Sequence, residues 1–398
     1  MLAYVPVDSP YVAALATDPS RGQGAVVSSL LGRFLGADVA IAKAQDQIKQ
    51  TLGLAQSDEL GPLLRNDLVA ARTRNGALAA WVVKDEADLR AILAGQVARG
   101  RLAKRAATDG YERYARPGWE VAVNGPLIVV GEPAALSAAL QTEQRHAGMS
   151  RSLFDERLRG LPADSLLRFE ANAALIPPVH GSSIVWLKAL GRLAITVRAD
   201  DSGFHARLRA ASAPVDPADI PIAAGATPPA PLGRTNGLTA GVRDLGHVVR
   251  ALRLNVPTAV VDQLGGTATV WSPDLKTFTV TIPVADPQLV VRALRGVNLA
   301  RAHLPGARIG AAGRTVVVTT DPAAPLVRLA AGSPQRIGNL SGALTGVIRG
   351  QSLGQALIDR FGLPPIASIA LGALGDTTFA VRTTTTGVEA SADLSIRK

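Results

Sequence analysis

Cysteine is absent from the 398 residues, and that absence excludes disulfides, thiolate metal sites and cysteine nucleophiles together. It leaves the redox compartment open. Histidine occurs at positions 146, 180, 205, 247 and 303 only, in separate predicted elements, with no i, i+4 pair and no acidic residue at ligand spacing. No metal ion is expected. No Gly-Lys-Ser or Gly-Lys-Thr occurs, so there is no P-loop. Gly22-x-Gly24 opens a helix, but Val27 stands at the third glycine position of the dinucleotide fingerprint, and no cofactor is expected. Long hydrophobic runs are also missing: the longest uncharged one, Phe361 to Gly375, holds two prolines and is too short to span a bilayer. Met1 leads almost directly into strand-like Tyr11-Val12-Ala13-Ala14-Leu15, without the charged segment and apolar core of an export signal. As written the chain reads as soluble, and a signal or anchor removed upstream would leave no trace in it.

What is present is an ordinary apolar share of 47%, enough for proper cores, in a chain long enough for two or three domains. The formal charge is +10. Such a charge attracts nucleic acid, acidic polymers or anionic lipid only if it gathers on one face. Arg far outnumbers Lys and Ala is abundant, a bias that a GC-rich genome produces without selection for binding.

The most orderly block runs from Asp67 to Leu93. Two β-type segments flank Asn75-Gly76, which suits a type I′ hairpin turn. Pairing across it puts Val69, Ala71, Leu78, Ala80 and Val82 on one face and Arg72 and Arg74 on the other. Asp85 then caps a helix bearing Leu89, Ile92 and Leu93. This β-β-α unit returns at Thr267 to Trp271, Thr277 to Val284 and the Asp286-Pro287 helix start. A second hairpin with Asn124-Gly125 and a helix bearing Leu136 and Leu140 is matched by Arg308 to Val318 and a helix bearing Leu326 and Leu329. A third block, with turns at Gly203 and Gly387, also recurs. Each of its copies is preceded by a strand (Leu166 to Ala171; Leu340 to Val347) and an apolar helix (Ile184 to Leu190; Ile366 to Leu374). Each half opens with a strand and an amphipathic helix, Val27, Leu30, Leu31 and Phe34 in one and Leu245, Val248, Val249 and Leu252 in the other. The expected fold is α+β, a tandem duplication in which each copy is a mostly antiparallel sheet with helices packed on one face. The copies would span 1–211 and 234–398, joined by a Pro/Ala-rich linker at 212–233.

Three segments carry a family resemblance: Leu2-Ala3-Tyr4-Val5-Pro6-Val7-Asp8, Asp109-Gly110-Tyr111-Glu112-Arg113-Tyr114, and Phe154 to Leu158 leading into Leu161-Pro162-Ala163-Asp164. The chain resembles the bacterial domain of unknown function 3352 family, best over about its first 175 residues. The resemblance implies no reaction, cofactor or active-site residue. It implies an extracytoplasmic or membrane-anchored location, because members often carry an N-terminal signal or anchor.

Three motifs remain to be weighed. Gly350-Gln351-Ser352-Leu353-Gly354 matches the nucleophile elbow of hydrolases, between a predicted strand and a helix starting near Gln355. The hydrolase order needs a His after the Ser, and the last is His303, so a helix entry is the better reading. The carboxylate pairs Asp85-Glu86, Asp155-Glu156 and Asp200-Asp201 fall at a helix start, a short exposed helix and a hairpin turn. The stretch from Gln96 to Gly118 has a shorter counterpart in the second half, Arg295 to Gly306. It carries Arg99, Arg101, Lys104, Arg105, Arg113 and Arg116 beside Tyr111, Tyr114 and Trp119. Arg interleaved with Tyr can hold phosphates and stack on rings. The competing picture is a solvated charged helix followed by a strand whose tyrosines pack on the sheet.

The composite expectation is a non-catalytic binding or scaffolding protein of the bacterial envelope that clasps an apolar ligand or a protein partner. The alternatives are a polyanion or nucleic-acid binder through residues 96–118 and, remotely, a serine hydrolase at Ser352.

Overall fold

A computed structural model describes residues 1–32, 67–176, 179, 184–253, 256–296, 306–361, 371–384 and 386–397. Phe34, residues 366–370, His180 and His303 lie outside them. The chain divides into two compact units, Met1–Pro177 with Arg192–Asp201, and Pro178–Gly191 with Ser202–Lys398. Helices and antiparallel strands alternate through both, so the fold is α+β.

The strands of the first unit are β1 (Tyr11–Leu15), β2 (Leu68–Thr73), β3 (Gly76–Val82), β4 (Ala103–Thr108), β5 (Tyr111–Arg116), β6 (Trp119–Asn124), β7 (Leu127–Gly131), β8 (Leu167–Asn172) and β9 (Leu190–Asp200). Their order is β4-β5-β6-β7-β3-β2-β1-β8-β9, every neighbour antiparallel. The helices are α1 (Gly22–Leu31), α2 (Glu86–Ala98), α3 (Pro133–Gln144) and α4 (Arg151–Arg157). Asp85 caps α2, accepting hydrogen bonds from the Ala87 and Asp88 amides at 2.8 and 3.3 Å. This satisfies donors that a helix start leaves open.

The β2–β3 hairpin closes one residue earlier than Asn75-Gly76 suggests. Thr73 pairs with Gly76, so Arg74 and Asn75 form the loop, and only Gly76, at φ 129°, takes a positive φ. The Thr73 hydroxyl explains the shift: it accepts from the Asn75 amide and donates to the Gly76 carbonyl, both at 3.0 Å. The pairing keeps its parity, and Val69, Ala71, Leu78 and Ala80 share one buried face.

The second unit contains α5 (Val185–Ala189), β10 (Gly203–Ser212), β11 (Leu238–Arg243), α6 (Leu245–Ala251), α7 (Thr258–Val261), β12 (Thr267–Ser272), β13 (Thr279–Pro283) and α8 (Pro287–Arg295). These are followed by β14 (Arg308–Ala312), β15 (Thr315–Thr319), α9 (Leu326–Ala330), β16 (Leu344–Ile348), α10 (Gly350–Phe361), β17 (Leu374–Thr384) and β18 (Gly387–Ile396). Its antiparallel order is β14-β15-β13-β12-β11-β16-β17-β18-β10. Asp286 caps α8, accepting from the Leu289 amide at 3.0 Å, with Pro287 at the first helical position. The Pro/Ala-rich stretch packs along this unit: Ile220 and Ala223 are buried, and the Thr383 hydroxyl donates to the Ile222 carbonyl at 2.6 Å.

The helices do not gather on one face, which corrects the expectation. In the first unit Leu136, Ala139 and Leu140 of α3 pack with Leu78, Ala80, Ala122 and Val129. Leu89 and Leu93 of α2 pack with Trp81, Val83, Val121, Val123 and Ile128. Neighbours along β3, β6 and β7 thus belong to different cores, and successive strand residues point to opposite faces. The second unit does the same. Val290 and Val291 of α8 pack on the face that carries Ile309 and Ala311. Leu326 of α9 lies over Gly310, on the other side: a Cβ there would sit 2.3 Å from the leucine Cδ1.

Two cores of comparable depth should be equally sensitive. Leu89→Ala and Leu136→Ala are each expected to destabilise the fold by about 2–5 kcal/mol, read as the loss in denaturant midpoint of the first unit. If only one of them were costly, the second helix layer would be peripheral.

Candidate functional site

A cleft of about 890 Å³ lies wholly within the first unit. Its floor is apolar. Ala14 and Val69 are cross-strand partners on the α3 side of the sheet, Val82 follows Ala80 at the same parity, and Met149 and Phe154 close over them. Its rim is polar, made by the start of α1, the loop before β8 and the first residues of β8, with Asp18, Arg21, Gln23, Asp164 and Arg168.

Gly22 and Gly24, the pair that suggests a dinucleotide loop, serve the helix start. Gly22 takes φ 50°, and a Cβ on Gly24 would sit 1.9 Å from the Asp18 carbonyl oxygen. The tight turn aims the Asp18 carboxylate back at its own chain. It accepts from the Ser20 hydroxyl at 2.6 Å, the Ser20 amide at 2.9 Å and Arg21 Nε at 2.6 Å. The Ser20 bonds, then Arg21, pull its pKa from 3.8 down to about 2.

The other polar groups of the rim are also spoken for. Buried Gln23 donates to Asp164 at 3.1 Å and accepts from the Ala199 amide at 2.7 Å. Arg168 donates to Asp155 at 2.6 Å and lies 5.1 Å over the Phe154 ring. Behind the cleft Glu170, 1% exposed, is held by Arg157 at 2.5 Å and Arg192 at 3.4 Å, and Arg157 also donates to the Val7 carbonyl. A buried carboxylate demands such pairing, and its bonds tie α4 to β8 and to the N-terminal segment.

The basic stretch is not a charged helix followed by a strand. It is a β-hairpin, because Asp109 at φ 55° and Gly110 at φ 81° make the two-residue turn between β4 and β5. Every residue of β4 is exposed. The tyrosines are not available for stacking. The Tyr111 ring is buried with its hydroxyl 2.7 Å from that of Tyr4, and buried Tyr114 donates to Glu112 at 2.9 Å.

Part of the positive charge lies against carboxylates. Arg113, its side chain 13% exposed, is paired with Glu120. Lys104 lies 3.8 Å from Glu112. Arg90 and then Tyr114 hold that carboxyl below its ordinary pKa. Arg99 donates to the Gly95 carbonyl at 3.0 Å. Arg116 stands across from Trp119 at the end of β5. Arg101 and Arg105 are exposed, and Arg105 faces Arg113 directly across the strands. Of the six basic residues, Lys104 and Arg113 thus lie against carboxylates.

The Gly350–Gly354 motif lies inside the first turn of α10, which starts at Gly350 and not near Gln355. The Asp376 carboxylate caps that turn, accepting from the Gly350 amide at 3.2 Å and from Arg349 at 2.5 Å. The Ser352 hydroxyl accepts from the Gly237 amide at 3.0 Å. A Cβ on Gly350 would sit 2.1 Å from the Leu374 carbonyl oxygen, which accounts for the glycine.

One juxtaposition is invisible in the linear order of the sequence. His205 meets Asp393, 188 residues away, through Nδ1 at 2.7 Å. The signal that could have found it is the pairing of β10 with β18, whose shared parity sets the two residues opposite each other. His247 donates its backbone N–H to Asp244, and its ring lies against the Ile220 carbonyl. Among the described residues no three His, Asp or Glu side chains are grouped to hold a metal, and no helix is long and apolar enough to cross a membrane.

No family model matches the sequence, and no curated protein matches it. Three crystal forms of the protein TP0453 are loosely similar in structure. Form IV has 11% identity over 53% of this chain and 79% of that one, with a TM-score of 0.33. Form III has 8% identity over 80% and 91%, at 0.32, and form I has 9% over 80% and 90%, at 0.31. Likeness at this level carries no argument.

Two measurements check the site. A carboxyl-detected NMR titration should place Asp18 at about 2, and Ser20→Ala should raise it. Because the folded value lies below the ordinary 3.8, the stabilisation is complete above that pH and is lost as pH falls through about 2. For the hairpin, Arg101→Ala with Arg105→Ala should leave the salt concentration of elution from heparin unchanged. A large drop would restore the polyanion reading.

Proposed function

We propose that this chain is a binding or scaffolding protein of the bacterial cell envelope, and that the first-unit cleft receives an amphiphilic molecule or partner segment without transforming it. One observation carries the reading: the cleft joins an apolar floor to a polar rim in which Asp18, Arg21, Gln23, Asp164 and Arg168 are held by partners of their own. Such a site offers burial and orientation, the attributes of a binding pocket.

The envelope location rests on the resemblance of the opening segment, the Asp109–Tyr114 segment and the Phe154–Asp164 segment to the bacterial domain of unknown function 3352 family. We read the chain as a tandem duplication on separate grounds. Read outward from β6, the first-unit order β6-β7-β3-β2-β1-β8-β9 has the same connectivity as β14-β15-β13-β12-β11-β16-β17 in the second. The capping residues Asp85 and Asp286 stand at equivalent places in it. The β4–β5 hairpin is then an addition to the first copy, and a solvated edge that carries Lys and Arg also discourages pairing with other chains.

The uncharged dye N-phenyl-1-naphthylamine tests the cleft. Its fluorescence should rise and saturate with the wild-type chain. Ala163→Trp, which fills the cleft from an exposed loop, should weaken binding at least roughly tenfold, about 1.4 kcal/mol. An absent response, or one that Ala163→Trp leaves untouched, refutes the reading.

A further inference from the structure

We infer that Ser202, His205 and Asp393 form a nucleophilic triad in the second unit that accepts acyl groups from carboxylic esters. The inference is independent of the first-unit cleft.

The geometry comes from strand register. In the β10–β18 ladder His205 stands directly opposite Asp393, and residues directly opposite share a face. The His205 Nδ1 lies 2.7 Å from Asp393 Oδ1. An ionised carboxylate only accepts, so Nδ1 carries a proton, and in the neutral ring the lone pair is on Nε2. That lone pair faces the Ser202 hydroxyl oxygen, 3.4 Å away. Arg207 Nη1 donates to the same carboxylate oxygen at 2.8 Å and fixes it in place. A histidine–aspartate pair across two strands is by itself an ordinary sheet contact. The serine on the far nitrogen is what such a contact does not need, and nucleophile, base and orienting carboxylate in sequence are the features by which a triad is recognised.

The turn before β10 holds the serine where the base can reach it. The Ile396 amide donates to the Ser202 carbonyl at 2.8 Å, anchoring its backbone to β18. Gly203 follows at φ 148°, and a Cβ there would sit 1.9 Å from the Leu394 carbonyl oxygen, so only glycine lets the turn close this tightly. Ser202 is exposed, and His205 and Asp393 keep 24% and 31% of their side-chain surface. An acyl donor can therefore approach from solvent.

The chemistry needs only an ester and water. The Ser202 oxygen attacks the carbonyl carbon and forms a C–O bond while its proton passes to His205 Nε2. The bond to the leaving alcohol then breaks, and the departing oxygen takes that proton. Water repeats the two steps on the acyl-serine, releasing a carboxylic acid and restoring the hydroxyl.

A fluorophosphonate probe on the full chain, with the labelled peptide located by mass spectrometry, tests this directly. The probe loses fluoride as the serine oxygen bonds to phosphorus. Label is expected on Ser202. His205→Gln, which keeps the size and polarity of the ring, should slow labelling about a hundredfold or more, and Asp393→Asn at least about tenfold. Ser202→Ala should abolish the label and leave dye binding in the first-unit cleft unchanged, so the two readings fail separately. A chain that stays unlabelled at Ser202, or that labels equally fast in His205→Gln with an unchanged circular dichroism spectrum, overturns the triad.

Discussion

The central strands of the first unit are apolar at consecutive positions, and a strand of that kind has to be covered on both faces. β3 carries Leu78 and Ala80 toward α3 and Trp81 toward α2, with Val83 just beyond it on the same side. β6 divides Ala122 from Val121 and Val123, and β7 divides Val129 from Ile128. One helix layer would leave half of this surface in water, at roughly 25 cal/mol for each Å² left exposed. The connections therefore send α2 to one side and α3 to the other, each begun by an acidic residue or a proline that suits a helix start. The cleft follows from the same arrangement. Toward the end of β1 the α3-side face continues as Ala14 and Val69, and α4 with its neighbouring loops covers it from a distance.

This two-sided burial was written in the sequence and could have been read there. Alternation of apolar and polar residues marks a sheet with one wet face, whereas Leu-Ile-Val-Val in β7 and Ala-Leu-Ala-Ala-Trp-Val in β3 are unbroken apolar runs. Local signals were the legible part. The caps at Asp85 and Asp286, the Gly203 and Gly387 turns and the face shared by Val69, Ala71, Leu78 and Ala80 all follow from residues within a few positions of one another. The Asn75-Gly76 turn shows the limit of such signals: a threonine hydroxyl two residues upstream moved the loop by one position without disturbing parity. Asp109-Gly110 was as strong a hairpin signal as Asn75-Gly76, and reading Gln96 to Gly118 for its charge hid it.

Charge was harder to read because its meaning depends on what lies across the strand. Six basic side chains between Arg99 and Arg116 look like a phosphate site when counted along the chain. Folded as a hairpin, Lys104 and Arg113 meet Glu112 and Glu120 from neighbouring positions of the sheet, and the Tyr111 and Tyr114 rings turn inward. An ion pair at an exposed edge contributes little to stability, but it removes the field that would draw a polyanion. The net charge of the chain is therefore a poor guide to its surface.

Sites of chemical interest in this protein are products of long-range contact. Gln23 reaches Asp164 across 141 residues and His205 reaches Asp393 across 188. Neither spacing resembles a motif. Both contacts depend on glycines that let backbone approach backbone: Gly24 against Asp18 at the start of α1, and Gly203 against Leu394 at the start of β10. A side chain at either position would push the helix start or the hairpin turn outward, and the polar partners would separate while most of the core stayed intact. Stability and site geometry are thus set by different residues, the first by the apolar runs of the central strands and the second by a few close-packed turns at their ends.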